Sequence, residues 1–147
     1  MPSFPPPDDR YEARVREHFT TQRVMATIGA ELVRVEPGLV EIALPFRDDL
    51  TQQNGYLHAG IVTTVVDSAC GYAAYSLMPV GSEVLTVEYK VNFLLPAEGP
   101  RFLMTGRVIK PGRTLTVCHG EVVALGGEAP KTVALMQTTM MRVAARG

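Results

Sequence analysis

Asp67 is the one charged residue in a run of twenty, AGIVTTVVDSACGYAAYSLM, residues 59 to 78. An ionised carboxylate in apolar surroundings is costly unless it finds donors or takes up a proton. Such a group serves as a nucleophile or general base in a dehydrated pocket. The competing role is structural: a carboxylate facing outward at a gap in the packing, or capping a neighbouring loop. The same run is opened by His58-Ala59-Gly60. The first N–H groups of a helix lack internal partners and carry the positive end of its dipole, so small residues there let an anionic or developing oxyanion oxygen approach. Small residues at a helix start also serve packing alone. A metal at His58 is disfavoured, because no HxH, HxxxH or Cys/His pattern surrounds it. His18 and His119 lie far off in sequence and read as surface or strand residues.

These residues need elements to place them. Residues 8 to 28 carry helical spacing, with Asp8 or Asp9 as N-cap, Val15, Phe19, Val24 and Ile28 as core contacts, and a break near Thr20-Thr21. Gly29 ends that helix. Leu32, Val33 and Val35, then Leu39, Val40, Ile42 and Leu44, flank Pro37-Gly38 as a hairpin. The loop RDDLTQQNGY contains Asn54-Gly55, a strong hairpin signal, yet an apolar helix follows it and stops near Met78-Pro79 and Gly81. Strands are predicted over 84 to 95, 101 to 110, 113 to 125 and 131 to 143, with Val87, Tyr89, Val91 and Phe93 alternating. Lys110-Pro111-Gly112-Arg113 has the Pro-Gly centre of a type II turn.

Composition bounds the rest. A chain of 147 residues with 46% hydrophobic residues buries a core without disulfides or metals. Fourteen basic and fifteen acidic residues give a net charge of -1 with no basic stripe, which argues against nucleic acid as a partner. Cys70 and Cys118 lack CxxC spacing and read as reduced core residues of a cytoplasmic protein. MPSFPPPDDR has neither a basic n-region nor an apolar h-region, so residues 1 to 9 read as a mobile proline-rich arm ahead of one domain, 10 to 147. The stretch 59 to 78 is long enough to span a membrane. Its Ser, Thr and Gly content, the lack of Lys or Arg anchors and the amphipathic strands around it place it inside a soluble core instead.

About six antiparallel strands and one helix apolar on every side are solved economically by a curved sheet wrapped around that helix: an α+β hotdog fold with an N-terminal helix. Such a sheet leaves an edge and part of the helix uncovered, so a homodimer is expected. Ala59 and Asp67 are eight residues apart, about 12 Å along a helix. A nucleophile and its oxyanion donor lie roughly 3 Å either side of one reacting carbon. If both act, Ala59 of one protomer must therefore serve Asp67 of the other.

His58-Ala59-Gly60 with Asp67 nine positions after the histidine, the strand TVEYKVNFLLPA and the hairpin GRVIKPGRTL resemble the hotdog acyl-CoA thioesterases of the PaaI-like, phenylacetate-pathway type. The resemblance spans roughly residues 20 to 143. It implies hydrolysis of acyl-CoA thioesters by a homodimer or dimer of dimers, without metal or other cofactor. It implies Asp67 as the catalytic carboxylate, Ala59 as the residue whose N–H polarises the carbonyl, and Gln52 as the group placing thioester or water. Thr86 is then the residue steadying the carboxylate or water, and His58 an orienting group. Gly60, Arg107, Lys110 and Arg113 are implied for coenzyme A, the basic residues for its phosphates. Where the family commonly reads His-Gly-Gly, this chain has Ala59; alanine keeps the N–H but is strained if the position requires positive φ. Two other readings stand beside hydrolysis. A hydratase or dehydratase of enoyl or hydroxyacyl thioesters calls for a His base paired with an acid. A non-catalytic acyl-CoA-binding protein binds without turnover. Tyr72 and Tyr75 are read as core, beside the acyl pocket.

Overall fold

The computed structural model describes residues 2–146. Helices α1 (Tyr11–Thr21) and α2 (Arg23–Ile28) precede strands β1 (Glu31–Glu36) and β2 (Leu39–Pro45). A 3-10 turn, Asp48–Leu50, leads to α3 (Ala59–Tyr75), and then come β3 (Ser82–Phe93), β4 (Arg101–Lys110), β5 (Leu115–Leu125) and β6 (Lys131–Ala144). One antiparallel sheet in the order β1-β2-β4-β5-β6-β3 packs five of its strands, β2 to β6, against α3. This is the hotdog fold expected of the pattern. No helix among the described residues is long and apolar enough to cross a membrane.

Two glycines decide how closely α3 sits on the sheet. Gly106 of β4 and Gly120 of β5 are cross-strand partners. A Cβ on Gly106 would lie 2.3 Å from the backbone of Ala69, and one on Gly120 would lie 2.6 Å from Val66 Cγ2. The pair forms a notch into which the small-residue face of α3, Val66, Ala69, Cys70 and Ala73, is pressed and buried. At the far end of the helix the Ser76 hydroxyl donates to Ala73 O (2.7 Å) and accepts from Gly38 N (2.8 Å), tying α3 to the β1–β2 turn. Phe4 of the proline-rich segment packs beside that turn, where a Cβ on Gly38 would meet its ring at 2.8 Å.

Three local expectations are corrected, and the break expected near Thr20-Thr21 falls directly after that pair. Arg10, not an aspartate, is the N-cap of α1; Asp8 instead accepts from Arg10 N at 2.7 Å, bracing the turn just before the helix. The helical break falls at Gln22, whose ψ of 94° is extended. Thr20 and Thr21 stay in α1, their hydroxyls bonded back to Glu17 O and His18 O. Val24 is exposed, and the break rotates Met25 into the core in its place. Gly112 has no positive φ, so the β4–β5 connection is not a type II turn; glycine is needed there for room, because a Cβ would lie 2.0 Å from Leu115 O.

Strand β3 is an edge and is apolar on surfaces nothing covers: Tyr89 is 46% and Phe93 47% exposed. A register shift between Thr86 and Glu88 interrupts its alternation. In an unbroken strand residues 86 and 89 would face opposite ways. The shift lets Thr86 and Tyr89 both line cavities against α3.

Candidate active site

The loop before α3 begins the site. Thr51 and Leu57 form an isolated bridge, and Gly55, at a φ of 83°, donates its N–H to Gln52 O at 3.0 Å. Asn54-Gly55 thus closes a one-bridge hairpin that delivers His58 to the helix start. The Gln52 side chain turns back to accept from Asn54 N, which leaves its amide NH2 as the donor it can offer.

His58 is the N-cap of α3. Its backbone is extended (φ -61°, ψ 136°) and its Nδ1 accepts from Gly60 N at 2.8 Å. The ring thereby takes one of the orphan amides of the helix start, and Ile61 and Val62 donate to His58 O. Ala59 N–H has no partner among the described residues, and Ala59 is exposed. No non-glycine residue has a positive φ among those described, so the alanine in place of glycine carries no backbone strain. The arrangement sorts the two amides: Gly60 N is occupied, and Ala59 N stays without a partner among the described residues. Gln52, His58 and Ala59 line one cavity of about 560 Å³, closed on its other side by Phe93, Leu95 and Val133.

Asp67 lies two turns further along α3, half-buried. Its Oδ1 accepts from the Thr86 hydroxyl of β3 at 2.8 Å, and Oδ2 has no partner among the described residues. Burial pushes this carboxyl above the usual carboxylate range, and the Thr86 hydrogen bond pulls the other way. A groove of about 460 Å³ runs along the helix from Ala59 and Gly60 to Asp67, walled by Val24, Tyr89, Val91 and Phe93.

The structure thus brings Gln52, His58 and Ala59 together around one cavity and sets Asp67 with Thr86 two turns further along α3, the groove joining Ala59 to Asp67. Arg107, Lys110 and Arg113 line none of these spaces. Arg107 borders a separate cavity with Phe4 and Arg34, while Arg113 borders another with Met78 and Arg142 near the C-terminal end of α3. No cluster of three or more His, Cys, Asp or Glu that could hold a metal occurs among the described residues.

Two residues near Asp67 were not assigned to the site from the sequence. Gln22, at the α1–α2 break, accepts from the Ser68 hydroxyl at 2.9 Å. His18 is half-buried, not a free surface residue: its Nε2 meets Glu83 at 2.7 Å, its Nδ1 meets the Tyr72 hydroxyl at 3.1 Å, and its ring stacks against Tyr75. Tyr72 and Tyr75 are buried as core. The available signals were Ser68, a polar residue beside the lone carboxylate, and the helix break itself; neither reveals which α1 residue meets α3.

A carboxylate and a free helix-terminal amide on one groove of a hotdog sheet are the kinds of group that a reaction at a carbonyl uses. A family model described as the thioesterase superfamily matches residues 54–131, which include Ala59, Asp67 and Thr86. A crystal structure of a thioesterase family protein from Silicibacter pomeroyi is 52% identical and superposes with a TM-score of 0.90, covering 92% of this chain and 99% of that one. The human protein named acyl-coenzyme A thioesterase 13 is 30% identical over 64% of this chain and 66% of its own. The PaaI protein of the E. coli phenylacetic acid degradation operon shares 18% identity and a TM-score of 0.83, over 92% of this chain and 95% of its own, a likeness of fold. The chain belongs to the thioesterase superfamily, and it is a thioester hydrolase.

Proposed function

We infer that the protein hydrolyses acyl-CoA thioesters to free acid and CoA, as a cytoplasmic homodimer whose sites are shared between protomers. One observation carries this reading: Asp67, held by Thr86, and the unpartnered N–H of Ala59 face the same groove but stand two helical turns apart. About 12 Å of helix separates them, too far to serve one carbonyl within a chain. Two α3 helices running antiparallel bring Ala59 of one protomer to Asp67 of its partner. The uncovered β3 residues Tyr89 and Phe93 are the surface such pairing buries.

The thioester oxygen is received by Ala59 N–H, where the helix dipole favours the charge that develops on it. His58 orients that end of the helix by capping Gly60, where a Cβ would lie 3.0 Å from His58 Nδ1, and Gly60 stands beside Ala59 on the side assigned to coenzyme A. Gln52 offers its NH2 to the thioester or to water. Asp67 attacks the carbonyl carbon or takes the proton of an attacking water, and Thr86 steadies its charged form. The coenzyme A phosphates fall to Arg107, Lys110 and Arg113 on the family resemblance, for none of the three lines the groove at Asp67 or the cavity at Ala59. Leu85, Met141 and Leu115 lie side by side in register, exposed, and give two dimers a surface on which to associate.

The hydratase reading loses its base, because His58 Nδ1 is already engaged as a cap. The test against a binding protein is thiol release over a panel of acyl-CoAs. Turnover is expected in the wild type and a loss of at least about a hundredfold in Asp67→Asn and Asp67→Ala, with folding retained. Unchanged turnover in Asp67→Asn refutes the mechanism.

A further inference from the structure

Asp67 stands between two unlike spaces. One is the groove described above, with Val24, Tyr89, Val91 and Phe93 among its walls. The other is a cavity of about 90 Å³ between α1, α3 and β3, walled by His18, Gln22, Ser68, Tyr72 and Thr86. Gln22 and Ser68, like Asp67, line both. The first is the face that the partner's Ala59 reaches in the shared site, so the thioester carbonyl is held there. The second suits water: a buried water needs only roughly 10–15 Å³ and 2–4 polar partners.

We propose that the small cavity supplies the hydrolytic water to Asp67, and that Gln22 is the residue that positions it. The proposal rests on the thioester-hydrolysis reading and deepens it by giving each reactant its own approach to the carboxylate.

Gln22 is held for such a task. The extended backbone at the α1–α2 break turns it toward α3, and its Oε1 is fixed by the Ser68 hydroxyl at 2.9 Å. The amide NH2 remains as donor. On the other side, Thr86 occupies Asp67 Oδ1 and leaves Oδ2 open. A water that accepts from the Gln22 amide and donates to Oδ2 keeps a lone pair for attack. Its oxygen bonds to the thioester carbon as its proton passes to Asp67. The tetrahedral intermediate then expels the CoA sulfur, the C–S bond breaks, and the proton on Asp67 goes to that sulfur. Acid and thiol leave with no oxidant or reductant consumed. In this step Asp67 is a general base.

Two variants test the water route by different means. Gln22→Met keeps the length of the side chain and removes the donor. Gly71→Ala narrows the cavity with little strain: the new methyl meets only Met140 Cε, at 3.9 Å, and alanine favours helix. Thiol release and thermal unfolding are measured for both, with Asp67→Asn alongside. Gln22→Met is expected to lose about ten- to a hundredfold in kcat with KM changed by less than about twofold, the mark of a misplaced reactant. Gly71→Ala is expected to unfold no earlier than wild type and yet to lose kcat severalfold. Wild-type kcat in both variants, with Asp67→Asn inactive, overturns the water route and leaves hydrolysis by Asp67 standing. A raised KM with unchanged kcat in Gln22→Met also overturns it, since Gln22 would then be holding substrate. Wild-type turnover in Asp67→Asn overturns the role of Asp67 itself, and with it the mechanism on which the water route rests.

Discussion

Ala59→Pro deletes a single N–H and little else. Proline is tolerated at the first helical position, where its missing N–H has no intrahelical partner to lose and its fixed φ suits the helix. The residue before a proline must be extended, and His58, at φ -61° and ψ 136°, already is. Ala59 N–H has no partner among the described residues and the side chain is exposed, so the ring displaces nothing buried. The expected change in unfolding free energy is therefore small, about 1 kcal/mol or less in either direction. Catalysis should respond very differently. Removing one oxyanion donor costs roughly a hundred- to a thousandfold in kcat, about 2.7–4 kcal/mol of transition-state stabilisation. Ala59→Gly, which keeps the N–H, is the control and should retain turnover. The assay is steady-state thiol release with a good acyl-CoA substrate, beside thermal melts of all three proteins. A folded Ala59→Pro enzyme with wild-type kcat refutes the assignment of the carbonyl oxygen to this amide.

Four further outcomes are expected. Because Asp67 works ionised and its carboxyl is raised by burial, kcat should fall on the acid side at a pH above the ordinary carboxylate range. Thr86→Val removes the hydrogen bond that opposes the rise, so the acid limb should move to higher pH, as a pH–rate profile will show. The same shift has a consequence for stability: a carboxyl raised on folding stabilises the fold when protonated, and that contribution is lost as pH rises through the folded pKa. Asp67→Asn should accordingly melt higher than wild type at neutral pH while being inactive. Gly106→Ala places a methyl 2.3 Å from the Ala69 backbone, where no side chain can give way, and should cost about 3 kcal/mol or more in urea unfolding. His58→Ala should cost about 1 kcal/mol through loss of the Gly60 cap, whereas His58→Asp should retain most of that stability.

The helix and the strands were legible because their patterns are local. Asp67 stood out as one charge among apolar neighbours, and β4 begins and ends where its alternation does. The Gly106–Gly120 notch was not legible, since each glycine looks ordinary until β4 and β5 are put in register under α3. The run Val87, Tyr89, Val91, Phe93 read as one alternation, whereas the register shift beside Val87 is what puts Thr86 on the same side as Tyr89. Of the candidate site, Gln52, His58, Ala59, Asp67 and Thr86 were singled out by spacing and resemblance, and the structure sets them in two groups along α3. What His58 does at the helix start was not, because a histidine cap depends on ring orientation. Gln22 and His18 were missed for a plainer reason: they meet α3 from 46 and 54 residues away in sequence.

The shared site can be tested in a mixed dimer. Asp67→Asn and Ala59→Pro proteins are each expected to be nearly inactive alone. In a hybrid of the two, one site carries both defects and the other carries neither. Random pairing of equal amounts in a twofold dimer should therefore restore about a quarter of wild-type turnover. Activity no greater than that of the two parents, with hybrid dimers demonstrably formed, would show that Asp67 and Ala59 do not meet across the protomers.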